Sequence, residues 1–258
     1  MTAADSQLTQ FLNDLHATKS FETALSLYQK YVLALGYDGV LYGFAPKLFA
    51  TDSLFNSPVY RACGLYSDEF LQYYDEKNLV QHDFTVKSIV SGCMEEVDWG
   101  NEEFRQQLSC QERNVLEVSR RYGLKNGISL PLMNNCNGYA GISVCSGQER
   151  PEFEALNQKA LPLLRQYSQI FNGHIWAHYR NQLGRLSSEV VLSKLSPTEL
   201  ELLRHLPSGD MLKVIYNKME KTPSYGDNIL GRLRDKMGGV STNRLIYYAS
   251  LLVTNDYL

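Results

Sequence analysis

The order of apolar and polar positions divides the chain into helical, extended and again helical stretches. Leu8, Phe11, Leu12 and Leu15 recur at helical spacing, and Phe21, Leu25, Leu27, Tyr28, Val32 and Leu33 continue the pattern to Gly36, a residue suited to end a helix. YDGVLYGFA (Tyr37 to Ala45) and PVYRACGLY (Pro58 to Tyr66) are rich in β-branched and aromatic residues and predict strands, joined by a polar loop containing Thr51, Asp52 and Ser53. Ser67 then predicts a helix N-cap, with Asp68 and Glu69 in a first turn that favours carboxylates. NEEFRQQLSCQERNVLEVSRRYG (Asn101 to Gly123) predicts one or two helices closed by Arg120, Arg121 and Gly123. GISLPLM and YAGISVCS predict a hairpin across the turn NNCNG, where Gly138 can take a positive φ. From Pro151 to about Gln182 the pattern is helical again, with Pro162 predicting a kink or a new start.

After the polar stretch RNQLGRLSSE the chain changes to short helical segments. Ser196, Pro197 and Glu199 have capping-box spacing with proline at the first helical position. Asp210 is placed to cap a second helix from Met211 to about Glu220, and a turn near Thr222 to Ser224 precedes a third from about Tyr225 to Met237. A last helix spans Asn243 to Val253. Gly226 and Gly231 each weaken the third helix by about 1 kcal/mol relative to alanine. The predicted fold class is α+β: an α-β-α sandwich, the architecture that buries both faces of such strands, followed by an all-α domain.

Composition narrows the function. A hydrophobic share of 44% and a charged share of 21% in 258 residues describe a soluble protein with room for one large or two ordinary domains. The amino terminus, MTAADSQLTQFLNDL, has no basic region and no apolar run, and nothing approaches the roughly 20 residues of a membrane span; a cytoplasmic protein with no membrane partner is expected. Cys63, Cys93, Cys110, Cys136 and Cys145 are odd in number and form no C-x-x-C unit, so buried free thiols are expected. The net charge of -3 is uneven: from Arg185 onward ten Lys and Arg face eight Asp and Glu, +2, leaving -5 on the body. A mildly basic end suits contact with DNA.

The candidate chemistry lies between Tyr66 and Trp99. Phe70 and Tyr74 are four apart and share a helix face, Tyr66 precedes them, and Asp83 follows. These aromatics fit a pocket lining and also fit an ordinary core, and Asp83 also fits the N-cap of a helix starting near Phe84. The acidic group Glu95, Glu96, Asp98, Glu102 and Glu103 is read as a solvated face. His174 and His178 are four apart but lack the glutamate of an H-E-x-x-H motif, so neither metal nor cofactor is expected. No G-x-S-x-G elbow, P-loop or G-x-G-x-x-G turn is present, which argues against an enzyme, including a hydrolase of small amides or lactones. The apolar positions Phe153, Leu156, Leu164, Tyr167, Phe171 and Trp176 are placed to supply core and also a dimer face.

GLKNGISLPLMNNCNGYAGISVCS together with the stretch from Tyr66 to Trp99 resembles the autoinducer-binding domain of LuxR-type quorum-sensing regulators, an α-β-α sandwich around an acyl-homoserine lactone. That family has a Tyr, a Trp four residues on, a Tyr four further, an Asp nine further and a second Trp; here these positions hold Tyr66, Phe70, Tyr74, Asp83 and Trp99, with Ser129 as the hairpin hydroxyl. The resemblance implies that Asp83 accepts from a ligand amide and that Tyr and Ser hydroxyls serve the acyl carbonyl. It also implies that the indole donor to the lactone carbonyl is missing at Phe70, an unpaired group costing about 1–3 kcal/mol, or roughly ten- to hundredfold in affinity.

LSPTELELLRHLPSG and GDNILGRLRDKMGG resemble the first and recognition helices of the LuxR-type helix-turn-helix domain. The organisation implied is a ligand domain over 1–183, a linker over 184–194 and a DNA-binding domain over 195–258, with Asn228, Arg232, Arg234 and Lys236 on one side of the reading helix, facing double-stranded DNA. The expected partners are a small signal molecule (an acyl-homoserine lactone or a variant of one), DNA, and a second copy in a homodimer. Departures in the reading helix leave a second reading open, a ligand-independent regulator or anti-activator that acts by pairing with another regulator.

Overall fold

The computed structural model describes residues 3–46, 59–135, 138–254 and 257–258. The chain forms two compact units, one from Met1–Phe44 with Tyr60–Arg180 and the other containing Asn181–Leu258. The expected loop residues Thr51, Asp52 and Ser53, and Cys136 and Asn137 of the hairpin turn, lie outside the described residues.

In the first unit, α1 (Ala3–His16) and α2 (Phe21–Ala34) lead into strand β1 (Gly39–Pro46). Ser20 and Thr23 form a capping box at the start of α2, and Gly36, at φ +107, turns the chain out of it. Strand β2 (Val59–Gly64) is followed by α3 (Asp68–Glu76), a 3-10 turn, α4 (Phe84–Ser91) and the short strand β3 (Val97–Asp98). The stretch from Asn101 to Gly123 resolves into α5 (Glu102–Gln107) and α6 (Cys110–Arg121), the second opened by a Ser109–Glu112 capping box. Strands β4 (Asn126–Asn135) and β5 (Gly138–Ser146) form the predicted hairpin, and α7 (Arg150–His178) follows. The described strands make a five-stranded sheet in the order β2-β1-β5-β4-β3.

Strand β4 is buried at every position from Asn126 to Met133. Both its faces are therefore covered, and α7 and α4 are among the helices packed on it. Around α1, α2 and α7 the core is aromatic: Tyr28 stacks on Phe171 at 4.4 Å, and Phe11 meets Tyr31 and Tyr167 at 5.0 and 4.5 Å.

Several expectations need correcting. Pro162 starts no new helix; α7 runs unbroken through it, because proline and Gln158, whose carbonyl loses its partner, are both exposed to water. Most of the stripe on α7 is core, with Phe153, Leu164, Tyr167 and Phe171 no more than 2% exposed, while Leu156 and Trp176 are only partly buried. The acidic group is not merely solvated. Arg150 grips Asp98 with two bonds of 2.7 and 2.6 Å, and Arg165 grips Glu96 with two of 2.9 and 2.7 Å, which ties the region of β3 to α7. Cys145 is a buried thiol as expected, but Cys110, the first residue of α6, is exposed.

The second unit begins with α8 (Arg180–Leu192), which makes most of the expected linker helical. It continues through α9 (Pro197–His205), a 3-10 turn, α10 (Leu212–Lys218), α11 (Pro223–Lys236) and α12 (Thr242–Thr254) around a core that includes Leu202, Leu203, Ile215, Ile229, Leu233, Leu245 and Leu252. Asp210 does not cap α10, which Met211 precedes without a side-chain bond; its carboxylate instead takes Lys218 at 2.6 Å. Thr222 caps α11 and Pro223 opens it. Gly226 is no flaw in that helix. A Cβ there would stand 2.4 Å from the Tyr216 ring, so glycine is what lets α11 pack against α10.

The most buried charge in this unit is Glu199, 2% exposed, which closes the capping box with Ser196 and takes Lys236 at 2.8 Å. Burial opposes its ionisation, but the hydrogen bonds from Lys236 and Ser196 outweigh burial and hold the carboxyl below its ordinary value of 4.5. The stabilisation is therefore complete above pH 4.5 and fades as pH falls through the lowered value. Glu199→Gln is expected to cost about 1–3 kcal/mol at neutral pH and much less in acid, measured by urea unfolding at both; an equal cost at both would show that the charge is not what matters.

Candidate ligand-binding site

Ser67 fixes the site by capping α3, its hydroxyl accepting from the Phe70 amide at 3.2 Å. The helix then stacks its aromatics: Phe70 lies 6.0 Å from Tyr66 and 5.9 Å from Tyr74, ring centre to ring centre. Tyr122, from the end of α6, meets Phe70 at 5.5 Å, and Tyr60 of β2 meets Tyr74 at 6.0 Å. Tyr66, Phe70 and Trp99 are buried in one cluster with Leu79, Phe84, Leu116 and Cys145, and Tyr74 packs against it.

Asp83 takes the N-cap role of the two that the sequence left open, and its second oxygen meets Tyr74. As N-cap of α4 its Oδ1 accepts from the Thr85 amide at 2.8 Å, the Thr85 hydroxyl at 2.7 Å and the Val86 amide at 3.4 Å. Its Oδ2 accepts from the Tyr74 hydroxyl at 2.8 Å, which leaves that oxygen with lone-pair capacity. Burial first, then the Asp83 charge, pushes the Tyr74 phenol well above its ordinary range, so it stays a donor at neutral pH.

Trp99 and Ser129 form a second polar group. The indole Nε1 donates to Ser129 Oγ at 3.0 Å, and Ser129 Oγ lies 2.6 Å from Ser143 Oγ. Ser129 and Ser143 face each other in the antiparallel register of β4 and β5, while Val97 of β3 pairs with Ser129 on its other side. The Trp99 amide donates to the Gly127 carbonyl at 3.0 Å, and a Cβ on Gly127 would lie 2.6 Å from the indole. Glycine is therefore needed where the ring lies against β4.

A third polar group has no partner. The Tyr66 hydroxyl is buried without a hydrogen bond among the described residues, in the neighbourhood of Ser143 and Cys145. Burial first, with the Asp83 carboxylate adding to it, raises its pKa well above the ordinary value, so it is a neutral phenol. An unmatched buried hydroxyl costs roughly 1–3 kcal/mol unless something bonds to it.

The structure thus brings Tyr66, Phe70, Tyr74 and Trp99 into one cluster, with Asp83 bonded to Tyr74 and Ser129 to Trp99. The sequence reading missed Tyr60, Thr85, Tyr122 and Ser143. Ser143 was not recoverable from the turn alone: counting from Asn135 opposite Gly138 would set Val144 opposite Ser129, and it is the register shift between Pro131 and Met133 that brings Ser143 there. Burial pushes the Cys145 thiol well above its ordinary range, which holds it protonated.

Residues 20–172 match the autoinducer binding domain family. The chain belongs to that family. Among solved structures, Escherichia coli SdiA in a crystal form matches at 19% identity over 98% of this chain and 99% of that chain, with a TM-score of 0.48. SdiA in complex with octanoyl-rac-glycerol matches at 18% identity over 97% and 96%, with a TM-score of 0.51. CepR2 from Burkholderia cenocepacia, described as an N-acylhomoserine lactone dependent LuxR family transcription factor, matches at 14% identity over 68% and 96%, with a TM-score of 0.50. No curated protein sequence matches this autoinducer-binding chain. The LuxR-type resemblance read from the residues therefore stands, and the family is one of signal-binding regulators rather than enzymes.

Of the four residues expected to face DNA, Asn228, Arg232 and Lys236 succeed one another at every fourth position of α11. Arg234 lies roughly 160° round the helix from Arg232, and its guanidinium donates to the Val240 carbonyl at 2.8 Å. It does not share their face, contrary to the expectation, and its bond holds the turn after the helix. Lys236 donates to Glu199 and to the Lys194 carbonyl at 3.1 Å, Arg232 stands 3.7 Å from Glu199, and Asn228 is exposed.

Gly127→Ala is expected to push the indole off Ser129, lower stability by about 1–3 kcal/mol and shift tryptophan emission to longer wavelength. Unchanged emission and unfolding midpoint would show that Trp99 is not held in this way.

Proposed function

We propose that this LuxR-type regulator binds an amphiphilic small signal molecule, an acyl-homoserine lactone or a variant of one, against Tyr66, Phe70, Tyr74, Asp83, Trp99 and Ser129. The observation that carries this reading is the unpartnered Tyr66 hydroxyl among apolar rings, beside the Ser129–Ser143 pair. A ligand carbonyl would accept a hydrogen bond from the Tyr66 hydroxyl, and a ligand amide would donate to Asp83 Oδ2. The acyl chain would lie among the rings, at about 0.8 kcal/mol per buried methylene. The SdiA complex with octanoyl-rac-glycerol, an acyl amphiphile with no lactone ring, supports a variant headgroup, as does the absence of a donor on Phe70. The lactone dependence of CepR2 supports the lactone itself.

The second half of the proposal is that the carboxy-terminal helices, in a homodimer, bind double-stranded DNA through α11. Asn228 and Arg232 on one face support it, while Lys236, already engaged with buried Glu199, contributes less. Ligand binding to the folded amino-terminal unit stabilises it by mass action, and that stabilisation permits dimerisation on half-sites. The alternative of a ligand-independent regulator that pairs with another regulator rests on Arg234 and Lys236 serving their own domain.

Native mass spectrometry of the protein from its own host, followed by denaturation, tests the ligand: a released acyl amphiphile is expected, and a stable protein with nothing bound would overturn the reading. Phe70→Trp is expected to bind acyl-homoserine lactones about ten- to hundredfold more tightly in a titration, and no gain would mean that the headgroup sits elsewhere. For DNA, the double change Asn228→Ala with Arg232→Ala is expected to weaken binding and lower the salt slope by about one for each phosphate no longer neutralised, with Arg234→Ala mainly lowering stability. Equal binding by the double variant in gel shifts would exclude this face of α11.

A further inference from the structure

Away from the aromatic cluster, α1 and α7 bring three imidazoles together. His16 is in the last turn of α1, His174 and His178 are one turn apart near the end of α7, and one ring nitrogen from each lies within 4.8 Å of the other two. Ring centres are 5.5 Å apart for His16 and His174 and 4.6 Å for His174 and His178. His16 and His178 are exposed, while His174 is held between them with its Nε2 3.4 Å from Thr18 Oγ1. That hydroxyl donates to the Leu15 carbonyl at 2.7 Å, so it can accept from the imidazole and orient the ring.

We propose that His16, His174 and His178 form a binding site for a transition-metal dication, with Zn2+ the best fit. The group offers three nitrogen ligands and no carboxylate, a donor set that suits Zn2+, Ni2+ or Cu2+ and not Mg2+ or Ca2+. Three histidines with solvent in the fourth position is a known tetrahedral arrangement for zinc. Zn–N bonds of about 2.0–2.1 Å bring ligand nitrogens to roughly 3.4 Å of each other. Closing from 4.8 Å needs only rotation of the two exposed rings. A bound ion would fasten the end of α1 to α7, beside the contacts that Phe11 and Tyr31 make with Tyr167.

The test uses the full chain without a polyhistidine tag. Calorimetric titration with ZnCl2 is expected to show one equivalent bound, Co2+ to give the absorption of a four-coordinate site, and Zn2+ but not Mg2+ to raise the melting temperature. The double variant His16→Ala with His178→Ala changes only exposed side chains, so without metal it should melt as the parent does. Its Zn2+ affinity should fall by on the order of a hundredfold or more. Undiminished binding by the double variant would place the ion on thiols such as Cys110 and overturn the proposal, as would no binding by the parent chain.

Discussion

The register of the β4–β5 hairpin is the constraint on which the amino-terminal unit depends. It sets Ser129 against Ser143 on one side of β4 and, through β3, Val97 against Ser129 on the other. That pairing delivers Trp99 to the flat spot at Gly127 and its indole N–H to Ser129. A slip of one residue would turn every side chain of the strand to the opposite face, exchanging Ser129 for Ile128 or Leu130. The shift in register between Pro131 and Met133 falls beyond these residues, toward the turn. The polar chemistry thus sits on the regular part of the ladder.

Electrostatics then fix what hydrogen-bonded strands alone would leave loose. A strand as short as Val97–Asp98 has little pairing of its own, and the two-pronged bond between Arg150 and Asp98 anchors it. The same Asp98 accepts from the Gly100 amide at 2.9 Å, which shapes the chain just after Trp99. In the carboxy-terminal unit Glu199 plays a comparable part, joining α9 to α11 from a buried position. Charges that look like surface decoration in the sequence are positioning devices in both units, and they limit what the same residues can offer a partner.

The fold was legible because its signals are local. Caps at Ser67 and Ser196, glycines at the helix ends and alternating strands all act within a few residues of themselves. The aromatic positions of the candidate site were legible for the same reason, since Tyr66, Phe70 and Tyr74 follow helix spacing. What the sequence hid is whatever depends on distant partners. Tyr60 and Tyr122 reach the site only once the sheet and α6 are assembled, and His16 joins His174 only when α1 packs on α7. Arg234 shows a further limit: the expectation put it on a shared face, whereas helix rotation and the Val240 carbonyl assign it to the turn. Gly226 was read as a weakness for want of Tyr216, its partner across the helices.

In the proposed site, Asp83 would serve a ligand without conflict with its part as a folding signal. Its two oxygens are divided: Oδ1 holds the start of α4, and Oδ2 meets only Tyr74. A ligand amide arriving at Oδ2 would leave the helix cap intact, so binding would add to the fold without exchanging one bond for another. Were both oxygens engaged in the cap, every hydrogen bond made to a ligand would be offset by one taken from α4. The free Tyr66 hydroxyl follows the same logic from the other side, because a ligand acceptor there would complete a bond that the protein alone leaves unmade. Under the proposed function, both features would make the ligand-bound state more stable than apolar contacts alone, as a receptor whose folding reports on its signal requires.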